Sequence, residues 1–274
     1  MKRMLNLLIM GLVLIFGAAR ASYAINSNLY NKIHSVIPKT KFSKVFKSQL
    51  PGLYGVLMDN GQAVYVYPAK KLIFFGQIWT NTGKNLTSLL MTKVQASKAD
   101  KIVAAVNLNK AIKIGHGPVK VIEFANIDCP YCRAFERLTT ESKRLRDKMT
   151  RYLFLIPQPS IHPHSTEMEL YYFTKSQGLS NKAKIALLNK IMVKQIYLTK
   201  SGNIPPKFKQ SSYAMKTLEY NTSLAQKFSI YGVPYFIIKN QAVLGLNIGR
   251  IYKLLGIKTV NVKKIQSNIF KNFK

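Results

Sequence analysis

The spacing of apolar residues divides the chain into a strand-rich first part and a second part in which strands alternate with helices. In the first part, runs rich in Val, Tyr, Phe and Ile lie at 53–58, 63–67 and 72–79, and the turn sequence Asp-Asn-Gly at 59–61 joins the first two. Runs of this length and composition predict strands. We therefore predict a short helix at 28–34 followed by a three-strand meander, whose apolar face or edge needs a partner because so small a sheet has little core.

A single connecting helix is predicted between the two parts. Residues 89–106 contain neither Gly nor Pro, and apolar side chains such as Leu90, Val94 and Ile102 recur at close to helical spacing. The sequence Gly-His-Gly-Pro at 115–118 ends this pattern and marks a boundary.

The second part begins with the order strand, helix, strand. An apolar run at 119–125 precedes a helix predicted from 129 to about 148, and another apolar run follows at 152–156. Such a β-α-β unit implies two parallel strands in one sheet. The remaining predicted elements are a mostly helical stretch, two short strands and a last helix, at 165–228, 235–238, 242–244 and 248–255. The predicted fold class is therefore α/β with a helical insertion at about 160–228.

The N-terminus has the pattern of an export signal. Two basic residues precede an apolar stretch at 5–19, and small residues up to Ala24 offer a cleavage site. The stretch is short for a membrane span, and Arg20 closes it. We predict a signal peptide at 1–24 that is cleaved after Ala24, and an uncleaved membrane anchor is the alternative.

The composition is strongly basic, with 42 Lys and Arg residues, 10 acidic residues and a formal net charge of +32. Such an excess favours anionic partners such as lipid head groups, polysaccharide, nucleic acid or acidic proteins, and a solvated basic surface is the alternative. The lysines are spread along the chain without a nucleic-acid-binding motif, which disfavours nucleic acid. An anionic surface stays a candidate partner.

Cys129 and Cys132 are the only two cysteines of the chain, and they lie where the first apolar run meets a predicted helix. The positive end of a helix stabilises a thiolate, which is the form that attacks disulfides. An exported chain without other cysteines has no structural disulfide of its own to form. We therefore expect the pair to act on the disulfides of other proteins.

A zinc site is an alternative use of the two thiols, because His162 and His164 would complete four ligands. The sequence His-Pro-His in a loop does not have the usual spacing of zinc ligands on one helical face. We predict no metal and no cofactor other than the redox-active disulfide Cys129–Cys132.

The order of elements around the cysteines resembles the thioredoxin fold, in which a Gly-Val-Pro sequence, here Gly232-Val233-Pro234, precedes a hairpin. The complete layout resembles the DsbC/DsbG family of periplasmic disulfide isomerases, with 53–87 similar to the family's dimerisation domain. The implied domains are a signal peptide, a small cystatin-like α+β dimerisation domain, a linker helix and a thioredoxin-like α/β catalytic domain, at 1–24, 25–87, 88–112 and 113–274.

The resemblance also implies the chemistry and the partners. Cys129 is the expected nucleophile and Cys132 the resolving cysteine, with Pro130 and Tyr131 between them in the active-site motif. Pro234 is expected to be cis and, with Val233, to face the cysteines and bind substrate. The implied partners are a second copy joined through 25–87, unfolded or misoxidised exported proteins, and a membrane thiol reductase of the DsbD type.

Some residues depart from the isomerase pattern. Glu123, six residues before Cys129, matches a buried acid of thioredoxin-like and DsbA-like oxidoreductases that exchanges the proton of the second cysteine, and an exposed strand carboxylate is the alternative. The residue before Pro234 is Val233, as in DsbA-type oxidases, whereas isomerases commonly carry Thr at this position. We predict a periplasmic thiol-disulfide isomerase/reductase; a dithiol oxidase and a non-catalytic holdase chaperone are the alternatives.

Overall fold

A computed structural model of the chain describes residues 27–59, 63–82, 86–199 and 202–258. The predicted signal peptide and the centre of the predicted Asp-Asn-Gly turn lie outside the described residues.

The first part folds into a helix and a four-stranded antiparallel sheet in the order β1-β2-β3-β4. These elements are α1 (Ser27–His34), β1 (Phe42–Lys47), β2 (Tyr54–Met58), β3 (Ala63–Tyr67) and β4 (Leu72–Phe74). One face of the sheet packs on the helix, and its buried residues are Ile33, Ile37, Val56, Val64 and Val66.

The predicted meander is present as β2, β3 and β4, but the prediction missed β1, which adds a fourth strand at one edge. Phe42 and Val45 both pack on the core although they are three positions apart. The register of β1 shifts between Phe42 and Lys44, and such a bulge breaks the alternation of inward and outward side chains. The sequence pattern therefore does not reveal this strand.

The predicted strand at 72–79 ends earlier, at Phe74. Tyr65 lies opposite Phe74, and β3 begins only two residues before Tyr65, so little of β3 remains to pair with residues beyond Phe74. Gly76 then takes a φ of 141°, which other residues rarely adopt. An apolar run alone did not show where pairing stops.

The predicted connecting helix is confirmed as α2 (Leu86–Ala105). Its C-terminal half packs on the second part through Ala99 and Ile102, which are fully buried. Lys98 Nζ donates a hydrogen bond of 2.9 Å to the carbonyl oxygen of Ser229. The helix is thus fixed to the second part at this end.

The second part has the thioredoxin-like α/β fold, as predicted. Its elements are β5 (Ile112–Ile114), β6 (Val119–Ala125), α3 (Pro130–Glu141), α4 (Lys143–Arg146), β7 (Met149–Leu155), α5 (Ser165–Ser176), α6 (Asn181–Met192), β8 (Leu198–Thr199), β9 (Gly202–Asn203), α7 (Ser212–Lys227), β10 (Tyr235–Ile238), β11 (Gln241–Leu244) and α8 (Ile248–Leu255). The main sheet has the order β11-β10-β6-β7-β5, and β6 and β7 are parallel, as expected.

Two boundaries differ from the prediction. The helix after the cysteines is interrupted at Ser142, whose extended backbone ends α3 and whose Oγ accepts a hydrogen bond from Leu145 N at the start of α4. Strand β7 begins at Met149 and includes Thr150 and Arg151, which are polar but buried. The apolar pattern did not reveal the first residues of this strand, because two of them are polar.

Helices cover both faces of the main sheet at β6, the strand that leads to the cysteines. Ile122 and Phe124 pack with α2 and α7 on one face, and Val121 packs with α3 and α8 on the other. The core therefore holds the end of β6 rigidly where the cysteines follow.

Within the described ranges, no helix is both long enough and apolar enough to cross a membrane.

Candidate active site

The structure places the two cysteines at the start of α3, as expected. Cys129 caps the helix, and Pro130 occupies its first turn, where the missing N–H costs no helical hydrogen bond. Both cysteines are free thiols, so the structure describes the reduced pair. Both thiols are buried, and Cys129, at 4% exposed, is slightly more accessible than Cys132, at 1%.

The two thiols differ in acidity because a hydrogen bond between them lowers the pKa of Cys129 and raises the pKa of Cys132. The hydrogen bond from the Cys132 thiol, together with the amides of Cys132 and Tyr131 and the charge of His162, lowers the pKa of Cys129 to about 6 against the opposing effect of burial. Burial and the hydrogen bond with Cys129 raise the pKa of Cys132 well above its ordinary value. Near neutral pH, Cys129 is therefore a thiolate and Cys132 a thiol.

The loop before β10 faces Cys129. The Val233–Pro234 peptide bond is cis, as the resemblance implies. The carbonyl oxygen of Val233 lies 3.8 Å from Cys129 Sγ, so this backbone borders the reactive sulfur. The predicted site residues Cys129, Cys132 and Pro234 are thus brought together; their roles stay predictions.

Apolar side chains are exposed next to the reactive sulfur. Tyr131, between the cysteines, is 51% exposed, and Tyr231, just before the cis peptide bond, is 54% exposed. Gln158 Nε2 donates a hydrogen bond of 2.8 Å to the carbonyl oxygen of Tyr231 and holds the neighbouring loop in place. Exposed aromatic side chains beside a nucleophile suit the binding of an unfolded chain.

Glu123 of β6 is buried, so the alternative of an exposed carboxylate is wrong. Arg151 Nε donates to Glu123 Oε2 at 2.8 Å, and Arg151 Nη2 donates to Glu136 Oε2 at 2.6 Å. Burial raises the pKa of Glu123 although Arg151 opposes the shift. The negative charge of Glu123 also raises the pKa of Cys132, which puts this carboxylate in electrostatic contact with the resolving thiol.

Sequence analysis missed the partners of Glu123. Arg151 lies in a strand and Glu136 in the helix of the cysteines, and neither stands out in the sequence. The only available signal was that an acid within an apolar strand needs a buried cation to compensate it.

Sequence analysis also missed Glu169 of α5, which is fully buried beneath the loop that leads to the cysteines. Its Oε1 accepts a hydrogen bond of 3.4 Å from Ile127 N, and its Oε2 has no hydrogen-bond partner among the described residues. Burial raises the pKa of Glu169 well above its ordinary value. Burial therefore favours the protonated form of this carboxyl.

The two loop histidines, His162 and His164, interact with different residues. His162 contributes to the low pKa of Cys129, whereas His164 Nδ1 lies 3.6 Å from Glu167 Oε2 on the helix that follows. In the part of the chain that the structure describes, His, Cys, Asp and Glu side chains form no group of three that could hold a metal ion.

Residues 19–88 match the family described as the disulfide bond isomerase protein N-terminal domain. This match covers the N-terminal domain, and the cysteine pair on the thioredoxin-like fold agrees with it. The chain is similar to DsbC/DsbG thiol-disulfide interchange proteins. The prediction of a thiol-disulfide oxidoreductase is thereby confirmed at the level of the reaction class.

Several solved structures are similar to this DsbC/DsbG-like chain. A disulfide interchange protein from Neisseria gonorrhoeae is 22% identical, with a TM-score of 0.39 over 61% of this chain and 98% of its own. For Proteus mirabilis ScsC in a compact conformation, the identity is 20% and the TM-score is 0.44, over 66% and 92% of the two chains.

Helicobacter pylori DsbG covers more of the chain, at 17% identity and a TM-score of 0.37 over 76% of this chain and 99% of its own. At these low identities and TM-scores, the three structures add nothing to the argument from the N-terminal domain and the cysteines. No curated protein matches the chain.

Proposed function

We propose that this oxidoreductase is a homodimeric isomerase and reductase that rearranges wrong disulfides in exported proteins. The observation that carries the proposal is the presence, in one chain, of an isomerase-type N-terminal domain and a Cys129 of low pKa. The N-terminal export pattern and the absence of other cysteines support the periplasm as the compartment.

The first step is attack by the Cys129 thiolate on a client disulfide. A bond forms between Cys129 Sγ and one client sulfur, and the other client sulfur leaves as a thiolate. In isomerisation, a client thiolate then attacks the client sulfur of this mixed disulfide and expels the Cys129 thiolate. The client regains a disulfide, and no net oxidation occurs.

In reduction, Cys132 resolves the mixed disulfide instead. Its thiol loses a proton and attacks Cys129 Sγ, which forms the Cys129–Cys132 disulfide and releases the client as a dithiol. The enzyme has then lost two electrons, so an electron donor must reduce it again. A membrane thiol reductase of the DsbD type fits this requirement.

The proton of Cys132 needs an acceptor in this step, and Glu123 is the proposed one. It is buried, and its charge acts on the Cys132 thiol. Arg151 stabilises the carboxylate form, which can accept a proton, and burial raises the pKa of Glu123, which makes that carboxylate a stronger base. Glu123 would return the proton when the disulfide is reduced.

The N-terminal sheet supports the homodimer. The side chains of β4 are all exposed, and Phe75, directly after it, is 83% exposed. An edge strand with exposed apolar side chains is a surface for pairing. A second copy joined here would hold two catalytic domains around one client.

The charge of the chain supports a further partner of opposite sign. A net charge of +32 favours association with an anionic surface such as lipid head groups. Such binding would weaken as the salt concentration rises.

A dithiol oxidase is the second candidate function. A nucleophilic cysteine with a pKa of about 6 stabilises the reduced pair, which makes the disulfide a stronger oxidant. Val233, which precedes the cis proline, is also the residue typical of oxidases. These two features favour oxidation, whereas the N-terminal domain favours isomerisation.

Reactivation of a scrambled multi-disulfide protein by the reduced full-length chain tests the proposal. We expect catalysed reactivation, and we expect Cys129→Ala to reduce it to the uncatalysed rate. No reactivation by the reduced chain, with rapid oxidation of a reduced client by the oxidised chain, would replace the isomerase with the oxidase. Suppression of client aggregation without either catalysis would leave only the holdase.

A further inference from the structure

An ion pair brackets the cysteine motif. Asp128 directly precedes Cys129, and Arg133 directly follows Cys132. Arg133 Nη1 lies 3.7 Å from Asp128 Oδ1, and the two side chains are 7% and 4% exposed. The start of α3 thus has a buried cation and a buried anion on either side of the reactive sulfurs.

Arg133 is compensated far less than the other buried arginine. Each nitrogen of the Arg151 guanidinium donates a hydrogen bond, to Glu123, Thr139 or Glu136. Arg133 Nε and Nη1 are buried, and neither has a hydrogen-bond partner within the described residues. A buried charge with so little compensation acts strongly on its neighbours, since the surrounding medium screens it weakly.

The hairpin of β8 and β9 packs on Asp128. Gly202 has a φ of 107°, and a Cβ added there would lie 2.6 Å from Asp128 Oδ2. Thr199 Oγ1 donates a hydrogen bond of 2.7 Å to the carbonyl oxygen of Gly202. Gly202 therefore lies directly against the Asp128 carboxylate.

We propose that the Asp128–Arg133 pair sets the oxidising power of the cysteines: Arg133 stabilises the Cys129 thiolate, and Asp128 limits that effect. The inference rests on Cys129 being the nucleophile, but not on whether the protein isomerises or oxidises. Arg133 and Asp128 act through Cys129, so both are positioning residues.

The reaction that they bias is the reduction of the pair. The disulfide takes up two electrons and one proton and gives the Cys129 thiolate and the Cys132 thiol. Only the reduced side carries a negative charge on sulfur, so a nearby cation favours that side and makes the disulfide more oxidising.

The charges around Arg133 agree with this direction. Burial lowers the pKa of Arg133, whereas Asp128, Cys129 and Cys132 raise it, which places the guanidinium within electrostatic reach of both sulfurs. The other groups that act on the pKa of Cys129 are the Cys132 thiol, the amides of Cys132 and Tyr131, and His162, and Glu123 acts on the pKa of Cys132.

Two variants of opposite sign test the proposal in the full-length protein. The measurements are the pKa of Cys129, from thiolate absorbance against pH, and the equilibrium of the pair with reduced and oxidised glutathione. We expect Arg133→Met to raise the pKa of Cys129 and to favour the disulfide by about three- to tenfold. Asp128→Asn should shift both quantities in the opposite direction.

Arg133→Lys keeps the charge and should retain most of the wild-type equilibrium. Arg137→Met removes a partly exposed positive charge from the same helix and should move the equilibrium less than Arg133→Met. Thermal unfolding identifies any variant that does not fold. If Arg133→Met fails to fold, Asp128→Asn and Arg133→Lys still decide the outcome.

Shifts of the two variants in the same direction, or no shift in folded variants, would overturn the proposal. That result is distinguishable from a failure of the proposed nucleophile. If the wild-type Cys129 titrates as an ordinary thiol, the role of Cys129 fails; if it titrates near 6 and the variants do not move it, only this inference fails.

Discussion

The two sheets of the protein differ in how far their apolar strands are buried. All four residues of β10, in the main sheet, are buried, whereas all three residues of β4, at the edge of the N-terminal sheet, are exposed. Helices cover both faces of the main sheet at β6 and fix the cysteines at its end. The contrast agrees with the proposed homodimer, in which the exposed edge of the N-terminal sheet would pair with a second chain.

The largest effect is expected from a charge placed on β4. Phe74→Asp should convert the dimer to a monomer and lower the reactivation of a scrambled client about tenfold or more, because a charge in an apolar interface is costly. The pKa of Cys129 should not change, since the main sheet is untouched. Sedimentation and the reactivation assay measure the two effects.

Gln49→Asp is the matched control for this variant, because it adds the same charge at an exposed position between β1 and β2. It should leave the dimer intact. A Phe74→Asp protein that stays dimeric, or a monomer with full isomerase activity, would refute the division of labour between the sheets.

The second prediction concerns the pH dependence of Cys129. Because its pKa is about 6, alkylation should slow tenfold for each pH unit below 6 and should be flat above about 7. The lowered pKa adds stability to the reduced protein above the ordinary thiol pKa, and this stability is lost as the pH falls toward 6. Mass spectrometry of labelled protein measures the rate; a rate that still rises through pH 8.5 would contradict the assignment.

A smaller effect is expected from breaking the ion pair of Glu123. Glu123→Gln should lower the free energy of unfolding by about 2–4 kcal/mol, since Arg151 loses one of its two carboxylates in a buried site. It should also slow the formation of the Cys129–Cys132 disulfide while the dimer persists. Denaturant unfolding and stopped-flow oxidation provide the two readouts, and unchanged stability would show that Glu123 is not ionised.

Glu169→Gln is the matched and smallest change. The raised pKa of Glu169 means that its contribution to stability is present below the ordinary Glu pKa and is lost as the pH rises through the folded value. At neutral pH the substitution should therefore leave the free energy of unfolding unchanged or raise it by up to about 1 kcal/mol. A loss comparable with that of Glu123→Gln would mean that Glu169 is ionised and paired.

The sequence predicted those features that lie in apolar runs or in short motifs. Strand β6, helix α2 and the hairpin of β10 and β11 all follow from apolar spacing, and the cis peptide bond at Pro234 follows from the resemblance. Strand β1 could not be found because its bulge breaks the alternation of side chains.

The buried charges of the site were the least predictable part. Arg151 and Glu169 look like ordinary polar residues in the sequence. Only the folded chain shows that Arg151 has two carboxylate partners and that the Glu169 carboxyl accepts one hydrogen bond. Their environments depend on contacts between elements that are distant along the chain.

Reactivation of a scrambled client by the full-length Cys132→Ala variant tests the central claim most directly. Isomerisation needs only Cys129, because a client thiolate releases it, whereas reduction and oxidation need both cysteines. We predict that this variant keeps a substantial share of the wild-type reactivation. Reactivation no faster than that of Cys129→Ala would contradict the isomerase and leave a protein that works only by dithiol exchange.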